Sequence, residues 1–582
     1  MNWDLSAIYE SFQSPAYQAD LNSLQPLLQE IDANLNSGGM PLDVLEKAVT
    51  QLSTLQNTAS KLGSFAYLTW SVDAVNEEAL SYIDQLMAKD VDAQRVLSDF
   101  SRYLGAMDDL EDVIAQSALL TEHAFMLREM KKNAAHRMDK AIESWILRMS
   151  LSGGETFAQL REKLAATLTV QFRGEELPLS AVRAKAYDPD PAVRKEAYEA
   201  ELAAYPKVEL AIAACLNGIK GEARIQAEAR HFDSVLDWTL HDSRMDRQTL
   251  DALWEAVREA LPDFRRYLRA KGKLLGHEDG IPFYDVMAPV GKGLRTYTAE
   301  EAKDMLAKML GSFSPAMGSF IHEAFDNRWI DMYPRPGKQG GAFCSSIHSL
   351  NLSRILTNFA GSYSDISTLA HELGHAWHNR CMAGLPVLLT DYPMPLAETA
   401  SIFNETLLSH AVLKTATSEE AFTIIEAELM EATQAIVDIY GRFLFESEVI
   451  ETRADHALSV NELKDAMLKA QELSYGDGLA KDARHPYMWA CKGHYYSPTL
   501  HFYNFPYAFG ILFAKGVFAQ YQEKGEGYVA TYNQLLRSCG SGSVYDVAKS
   551  VDIDIHSVDF WRSSLSILRD AMNKFVALCD QQ

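Results

Sequence analysis

Twelve consecutive residues constrain this chain more than any other stretch: Ser367-Thr368-Leu369-Ala370-His371-Glu372-Leu373-Gly374-His375-Ala376-Trp377-His378. They contain one HExxH pattern. At 3.6 residues per turn, His371 and His375 stand one above the other on the same face of a helix. Two neutral imidazoles at that spacing can fill two positions around a tetrahedral zinc ion. Glu372 lies beside them, where a carboxylate can act as general base on a metal-bound water. The stretch therefore has to be helical, and whatever surrounds it has to complete a metal site.

The chain has 582 residues, beyond the length at which one hydrophobic core stops growing, so several domains or one lobed body are expected. A formal net charge of -25, with no concentrated Lys/Arg run, argues against nucleic acid or an anionic membrane surface as partner. No run of about 18 apolar residues is present, so no membrane-spanning helix is expected. The first residues carry neither a basic nor an apolar leader pattern. Six well-separated cysteines (Cys215, Cys344, Cys381, Cys491, Cys539 and Cys579) form no C-x-x-C pair. In a chain this long they read as reduced thiols, and a cytoplasmic location follows.

Helical periodicity dominates. Leu21, Leu24, Leu28, Ile31 and Leu35 recur at three- and four-residue steps, with Pro26 expected to kink or delay the helix. Pro41 opens a second such stretch, and residues 77–132 carry a third, so an antiparallel helical lobe is expected over the first 130 or so residues. A short strand pattern spans Leu168–Phe172, with a turn at Arg173-Gly174-Glu175. Asp188-Pro189-Asp190-Pro191 marks a boundary, Asp190 capping a helix that begins at Pro191. Loops are expected at 276–280 and at Gly291-Lys292-Gly293. Tyr333 to Gly341 is too rich in Pro and Gly for regular structure. Beyond it, Ala342-Phe343-Cys344 and 355–359 have strand composition, giving a hairpin or edge strand just before the HExxH helix. Such an edge can hold an extended peptide through main-chain hydrogen bonds.

A catalytic zinc takes three protein ligands and keeps one position open. The position six residues after His375 is Cys381, not the histidine of the longer HExxHxxGxxH pattern. His378 shares the helix but closes a tetrahedron poorly from there, so it is expected beside the ligands or facing substrate. After Pro395 a second helix begins, with Glu398 in its first turn and Glu405 at i+7 on the same face. One of these carboxylates is expected to be the third ligand and the other to orient a histidine. Glu398 is favoured as ligand and Glu405 as its support, with Asp391 a further candidate.

This constellation resembles the thimet oligopeptidase family of zinc peptidases, and its oligoendopeptidase F branch in particular. The likeness runs through Trp3-Asp4-Leu5, Arg328-Trp329-Ile330-Asp331, Gly337-Lys338-Gln339-Gly340-Gly341-Ala342-Phe343, the HExxH stretch, Ala397-Glu398-Thr399-Ala400-Ser401, and Phe502-Tyr503-Asn504-Phe505-Pro506-Tyr507-Ala508-Phe509-Gly510. The resemblance implies a mainly α, two-lobed fold around a deep channel, with a small β-sheet beside the zinc helix. It divides the chain into an N-terminal helical lobe, 1–190, and a zinc peptidase catalytic region, 191–582. It implies one zinc per chain on His371, His375 and Glu398, Glu372 as base and acid, and peptide bound along Gly341, Ala342 and Phe343. It further implies a histidine and tyrosines over the metal, assigned to His494, Tyr503 and Tyr507, with His501 as the rival histidine or a substrate contact. The activity implied is endopeptidase cleavage of short unstructured oligopeptides. A carboxypeptidase of the same family, and a non-catalytic peptide-binding protein with a structural zinc, stay open on the sequence.

Overall fold

A computed structural model describes residues 2–291 and 295–581. Lys292 and Gly293, in the loop expected there, lie outside the described residues. The fold is mainly α, with two small sheets, as expected. The chain forms two units, each assembled from separate stretches of sequence. One comprises Met1–Arg137, Leu294–Val412 and Gln520–Ile553; the other comprises Met138–Gly293, Leu413–Ala519 and Asp554–Gln582. Position 190, where the sequence suggested a division, falls in the first stretch of the second unit.

The first unit begins with three helices, α1 (Pro15–Leu35), α2 (Pro41–Ser71) and α3 (Glu77–Gly105). Ser14 caps α1 by accepting from the Tyr17 amide, and Pro15 sits at the first helical position, where its missing N–H is not needed. Pro26 does not end this helix. The lost hydrogen bond is outweighed by burial on both sides of it, since Leu24, Leu28 and Ile31 are fully buried. Beneath the helices Tyr9, Phe12, Tyr17 and Phe65 meet largely edge to face, with ring centroids 5.0 to 5.7 Å apart.

The same unit holds a three-stranded sheet in the order β3-β5-β4, numbered after the β1–β2 hairpin of the second unit. Here β3 is Ile330–Asp331, β4 is Phe343–Ile347 and β5 is Leu352–Leu356. β4 pairs antiparallel with β5, Cys344 opposite Ile355, and so forms an edge of the sheet. Ile347 and Leu356 anchor it in the helical core.

The Pro/Gly stretch between β3 and β4 is held by one buried carboxylate. Asp331 accepts from Lys338 at 2.8 Å and from both Nη atoms of Arg335, at 2.6 and 3.0 Å. The Lys338 ammonium is fully buried and also donates to the carbonyls of Asp331, Tyr333 and Thr357. Gly337 and Gln339 are tied to the end of α2 and the turn after it, through Ala74 N–H to Gly337 carbonyl (2.7 Å) and Gln339 N–H to Ser71 carbonyl (2.8 Å). The loop is irregular but fixed, and it delivers β4 at a set height.

In the second unit the β1–β2 hairpin (Thr169–Phe172 and Glu175–Pro178) turns through Arg173 and Gly174, both at positive φ, the geometry a two-residue hairpin needs. Asp190 caps the helix Pro191–Ala204 by accepting from Ala192 N–H at 2.9 Å. The core gathers Tyr205, Leu216, Leu463, Trp489 and Tyr495. Three ion pairs are buried within this unit, each at 2.6 Å: Arg194–Asp285, Lys220–Glu446 and Lys271–Glu426. Among the described residues no single helix is long and apolar enough to cross a membrane. All six cysteines are free thiols.

Replacing Lys338 by Met removes one partner of a buried pair and leaves Asp331 short of charge. We expect unfolding in urea to show a loss of about 3–5 kcal/mol, with the Asp331→Asn, Lys338→Met double variant recovering part of it.

Candidate metal centre

The HExxH stretch lies in helix α4, Tyr363–Cys381. A reciprocal cap starts it: Ser362 Oγ accepts from Asp365 N–H (3.1 Å) while Asp365 Oδ2 accepts from Ser362 N–H (2.9 Å) and Ala360 N–H (3.0 Å). Near its other end Asn379 donates to Leu352 carbonyl and Ser353 Oγ, both at 3.2 Å, which fixes α4 against the sheet. The chain then makes one short turn, Met394–Ala397, bends at Glu398 (φ -89°, ψ 6°), and continues as α5, Thr399–Val412. Glu398 was expected within the first turn of one helix. It sits instead at the break between two, where its side chain is free of the regular helical direction.

α4 and α5 cross very closely. A Cβ on Gly374 would come within 2.5 Å of the Ala400 carbonyl oxygen and 2.6 Å of Ser401 Cα. Only a glycine permits this approach. Asn404 reinforces it by donating to the Ala370 carbonyl at 3.1 Å. The crossing brings the side chains of α5 onto the histidine face of α4.

Three donor atoms converge there. His371 Nε2 and His375 Nε2 are 3.2 Å apart, and Glu398 Oε2 is 3.2 Å from the first and 3.5 Å from the second. Ligands about 2.0–2.1 Å from a tetrahedral zinc are separated from one another by about 3.3 Å, so the triangle matches in size as well as donor type. Among the described residues this is the group of His, Cys, Asp and Glu placed to hold an ion. The side chains of His371, His375 and Glu398 stay 26, 22 and 26% exposed, which leaves one side of the triangle accessible. Ser401 Oγ donates to Glu398 Oε2 at 2.7 Å and fixes the carboxylate.

Glu405 takes the supporting place. Its Oε1 lies 3.2 Å from His371 Nδ1, so the imidazole holds its proton on Nδ1 and turns the Nε2 lone pair into the triangle. Burial disfavours a charged His371, but its bonds to Glu398 and Glu405 outweigh this and lift its pKa to about 11. Burial, then the neighbouring His371, draws His375 down to about 4. Glu398, despite burial, is held at about 2 by the two histidines. Burial raises Glu372 to about 7. Burial and then the Glu372 charge push up the thiol of Cys344 on β4, which records how near the edge strand runs to this carboxylate.

His378 belongs to neither the triangle nor an open surface. It is fully buried, donates from Nε2 to the Leu536 carbonyl at 3.1 Å and stacks on Tyr392 at 4.4 Å. Burial lowers its pKa to about 3 and keeps it neutral. It supports α4 from behind.

Gly341 is exposed at φ 79°, with its carbonyl bound by Asn358 Nδ2 at 2.8 Å. Ala342 and Phe343 are half-buried, and the Phe343 ring lies 5.3 Å from Tyr67 and 6.4 Å from Trp3.

The other assigned residues are carried by the second unit. His494 lies in the short turn Gly493–Tyr496, where burial lowers its pKa to about 3. Tyr503 and Tyr507 bring their hydroxyls to 2.8 Å of each other. His501 is buried against Trp238, with Nδ1 3.5 Å from Lys220 Nζ. Sequence reasoning did not single out Gly374, Ser401 or Asn404 for these contacts. The last two were open to detection, lying three and six residues beyond Glu398 on the helix that follows it.

A family model described as Peptidase family M3 matches residues 184–567, more than half of the chain. Oligopeptidase PepF of Bacillus subtilis is 23% identical over 99% of this chain and 87% of its own length. Among solved structures, one from Chlamydophila abortus is 22% identical, covers 99% of this chain and 98% of its own, and has a TM-score of 0.87. Oligoendopeptidase F from Enterococcus faecium is 17% identical over 97% and 99% of the two chains, with a TM-score of 0.70. At these identities the structural likenesses speak for the fold.

Because Glu405 fixes the tautomer of His371 without being in the triangle, Glu405→Gln should leave the fold intact and weaken zinc binding about 10–100-fold. Competition against a chromophoric chelator measures this directly.

Proposed function

Because the chain belongs to peptidase family M3, we propose that it is a zinc-dependent endopeptidase cutting internal bonds of short, unstructured oligopeptides, in the manner of oligoendopeptidase F. The observation that carries this reading is the triangle of His371, His375 and Glu398, open on one side, with Glu372 on the same helix. A purely structural zinc site closes its fourth position with a protein ligand, whereas a catalytic one leaves it free.

In this reading His371, His375 and Glu398 hold one zinc ion. When bound, zinc polarises the scissile carbonyl and makes the attacking water more acidic. Glu372 takes the proton of that water on its carboxylate and delivers it to the departing amine. Substrate lies as an added strand along Gly341, Ala342 and Phe343, its main chain meeting the edge of β4 while side-chain pockets select residues. The fixed loop behind β4 supports such a role, since an edge that templates a peptide must not move when the peptide binds.

The family resemblance further assigns stabilisation of the tetrahedral oxyanion to Tyr503 and Tyr507, with His494 beside them. Two hydroxyls 2.8 Å apart are hydrogen-bonded to each other, one supplying the hydrogen that the other accepts. That favours the tyrosines acting as one donor. Of the rival histidines, His494 keeps more exposure than His501, which is committed to the core beside Trp238. The acidic composition and the free thiols support peptide substrates without nucleic-acid or membrane partners, and a cytoplasmic location.

Glu372→Gln should keep its zinc by metal analysis yet lose about 10²–10⁴ in turnover of an internally quenched peptide, and chelation of the wild type should abolish the same signal. Full activity in the variant would refute the proton role. Mass spectrometry of the wild-type products should show internal cuts; stepwise loss of carboxy-terminal residues would make the enzyme a carboxypeptidase.

Tyr503→Phe and Tyr507→Phe should each lower kcat by about 10²–10³ with little change in KM. The double variant should fall little further if the two hydroxyls act as one unit, and a multiplicative loss would separate their roles.

A further inference from the structure

A cavity of about 290 Å³ lies within the second unit, and none of the residues lining it belongs to the metal centre. Its ionic walls can be balanced pair by pair. Arg183 is paired with Glu201, Arg194 with Asp285 and, just behind the wall, Arg442 with Asp438. Lys492 is left over. It lines the cavity, yet among the described residues its ammonium makes no hydrogen bond and no ion pair. Lys492 is half-buried, and an ammonium partly removed from water with no partner is costly to hold. Burial, ahead of the opposing pull of Asp438, lowers its pKa in keeping with that position. In a chain whose formal charge is -25, this cavity carries a local excess of one positive charge.

We propose that this cavity is a binding site for a small monocarboxylate with an apolar, preferably aromatic, body, the carboxylate resting on Lys492. One uncompensated cation calls for one negative charge. The retained carboxylates of Glu201 and Asp438 on the same walls disfavour a second, which excludes dianionic phosphate. Tyr187, Phe283 and Tyr284 line the remainder and give an apolar ring its contacts. At about 30 Å³ per liquid water, the volume accommodates on the order of ten heavy atoms, the size of phenylacetate. Lys492 immediately precedes the turn Gly493–Tyr496, so an occupant would touch the segment that carries His494. The site does not depend on the peptidase reading.

The test is calorimetric titration of the full-length, zinc-loaded chain with phenylacetate, its neutral isostere phenylacetamide, and inorganic phosphate. We expect saturable millimolar binding of phenylacetate alone. Lys492→Met should weaken that binding at least about tenfold while raising the unfolding temperature of the ligand-free chain, because an unpaired, half-buried cation has been removed. Lys492→Arg should retain the binding, and it serves as the folded reference if the Met variant expresses poorly. Three results would overturn the proposal: no saturable phenylacetate binding, equal binding of phenylacetamide or phosphate, or phenylacetate binding that survives Lys492→Met and therefore sits elsewhere, such as on the zinc.

Discussion

The metal centre depends on how closely two helices can cross. With any side chain at position 374, α4 and α5 would be held apart by the contact between its Cβ and the Ala400 carbonyl. Holding the helices apart would widen the triangle of His371, His375 and Glu398, whose size now matches that of zinc ligands. Gly374 is therefore as much a part of the candidate centre as the three side chains that would hold the ion. The crossing also explains how one histidine can serve two carboxylates. Glu398 and Glu405 are seven residues apart, about 10 Å along a helix. His371 lies between them and meets Glu398 through Nε2 and Glu405 through Nδ1.

What the sequence revealed follows from range. The two histidines and Glu372 share one helix and follow its period, whereas Glu398 sits at a helix break and reaches the same face as Glu405 without being in the helix that carries it. The β1–β2 turn and the Asp190 cap are likewise local, written in residues next to one another. The features that eluded the sequence are contacts between distant elements. Gly374 in α4 looks like any small residue of a metallopeptidase helix until α5 is laid against it. His378 shares the helix of the ligands and reads as functional, but Leu536 and Tyr392 arrive from elsewhere and bury it. Pro26 reads as a kink or a delay, and that one helix runs through it from Pro15 to Leu35 depends on the core around Leu24 and Leu28, which cannot be seen along the chain. The stretch from Tyr333 to Gly341 reads as irregular, and is, but that it is fixed cannot be read along the chain because the grip of Lys338 on Asp331 depends on both being buried.

Charge gives the last step. Elsewhere this acidic chain matches its buried carboxylates with fixed cations: Asp331 with Lys338 and Arg335, Asp285 with Arg194, Glu446 with Lys220, Glu426 with Lys271. The metal centre departs from that habit. Glu398 and Glu405 gather around two imidazoles with Glu372 on the same helix, and the ion pairs made by Glu398 and Glu405 are to histidine rather than to Lys or Arg. Protons make up part of the shortfall: against burial, the bonds to Glu398 and Glu405 draw His371 up to about 11, while burial itself lifts Glu372 to about 7. A proton on His371 Nε2 occupies the very lone pair that faces the triangle, so proton and metal ion compete for one position. A divalent cation there would satisfy both histidines and Glu398 at once, and would leave Glu372 an unshared carboxylate on the same helix. Carboxylates gathered here in excess of fixed cations are the physical reason this helix crossing is suited to a metal ion rather than to another buried ion pair.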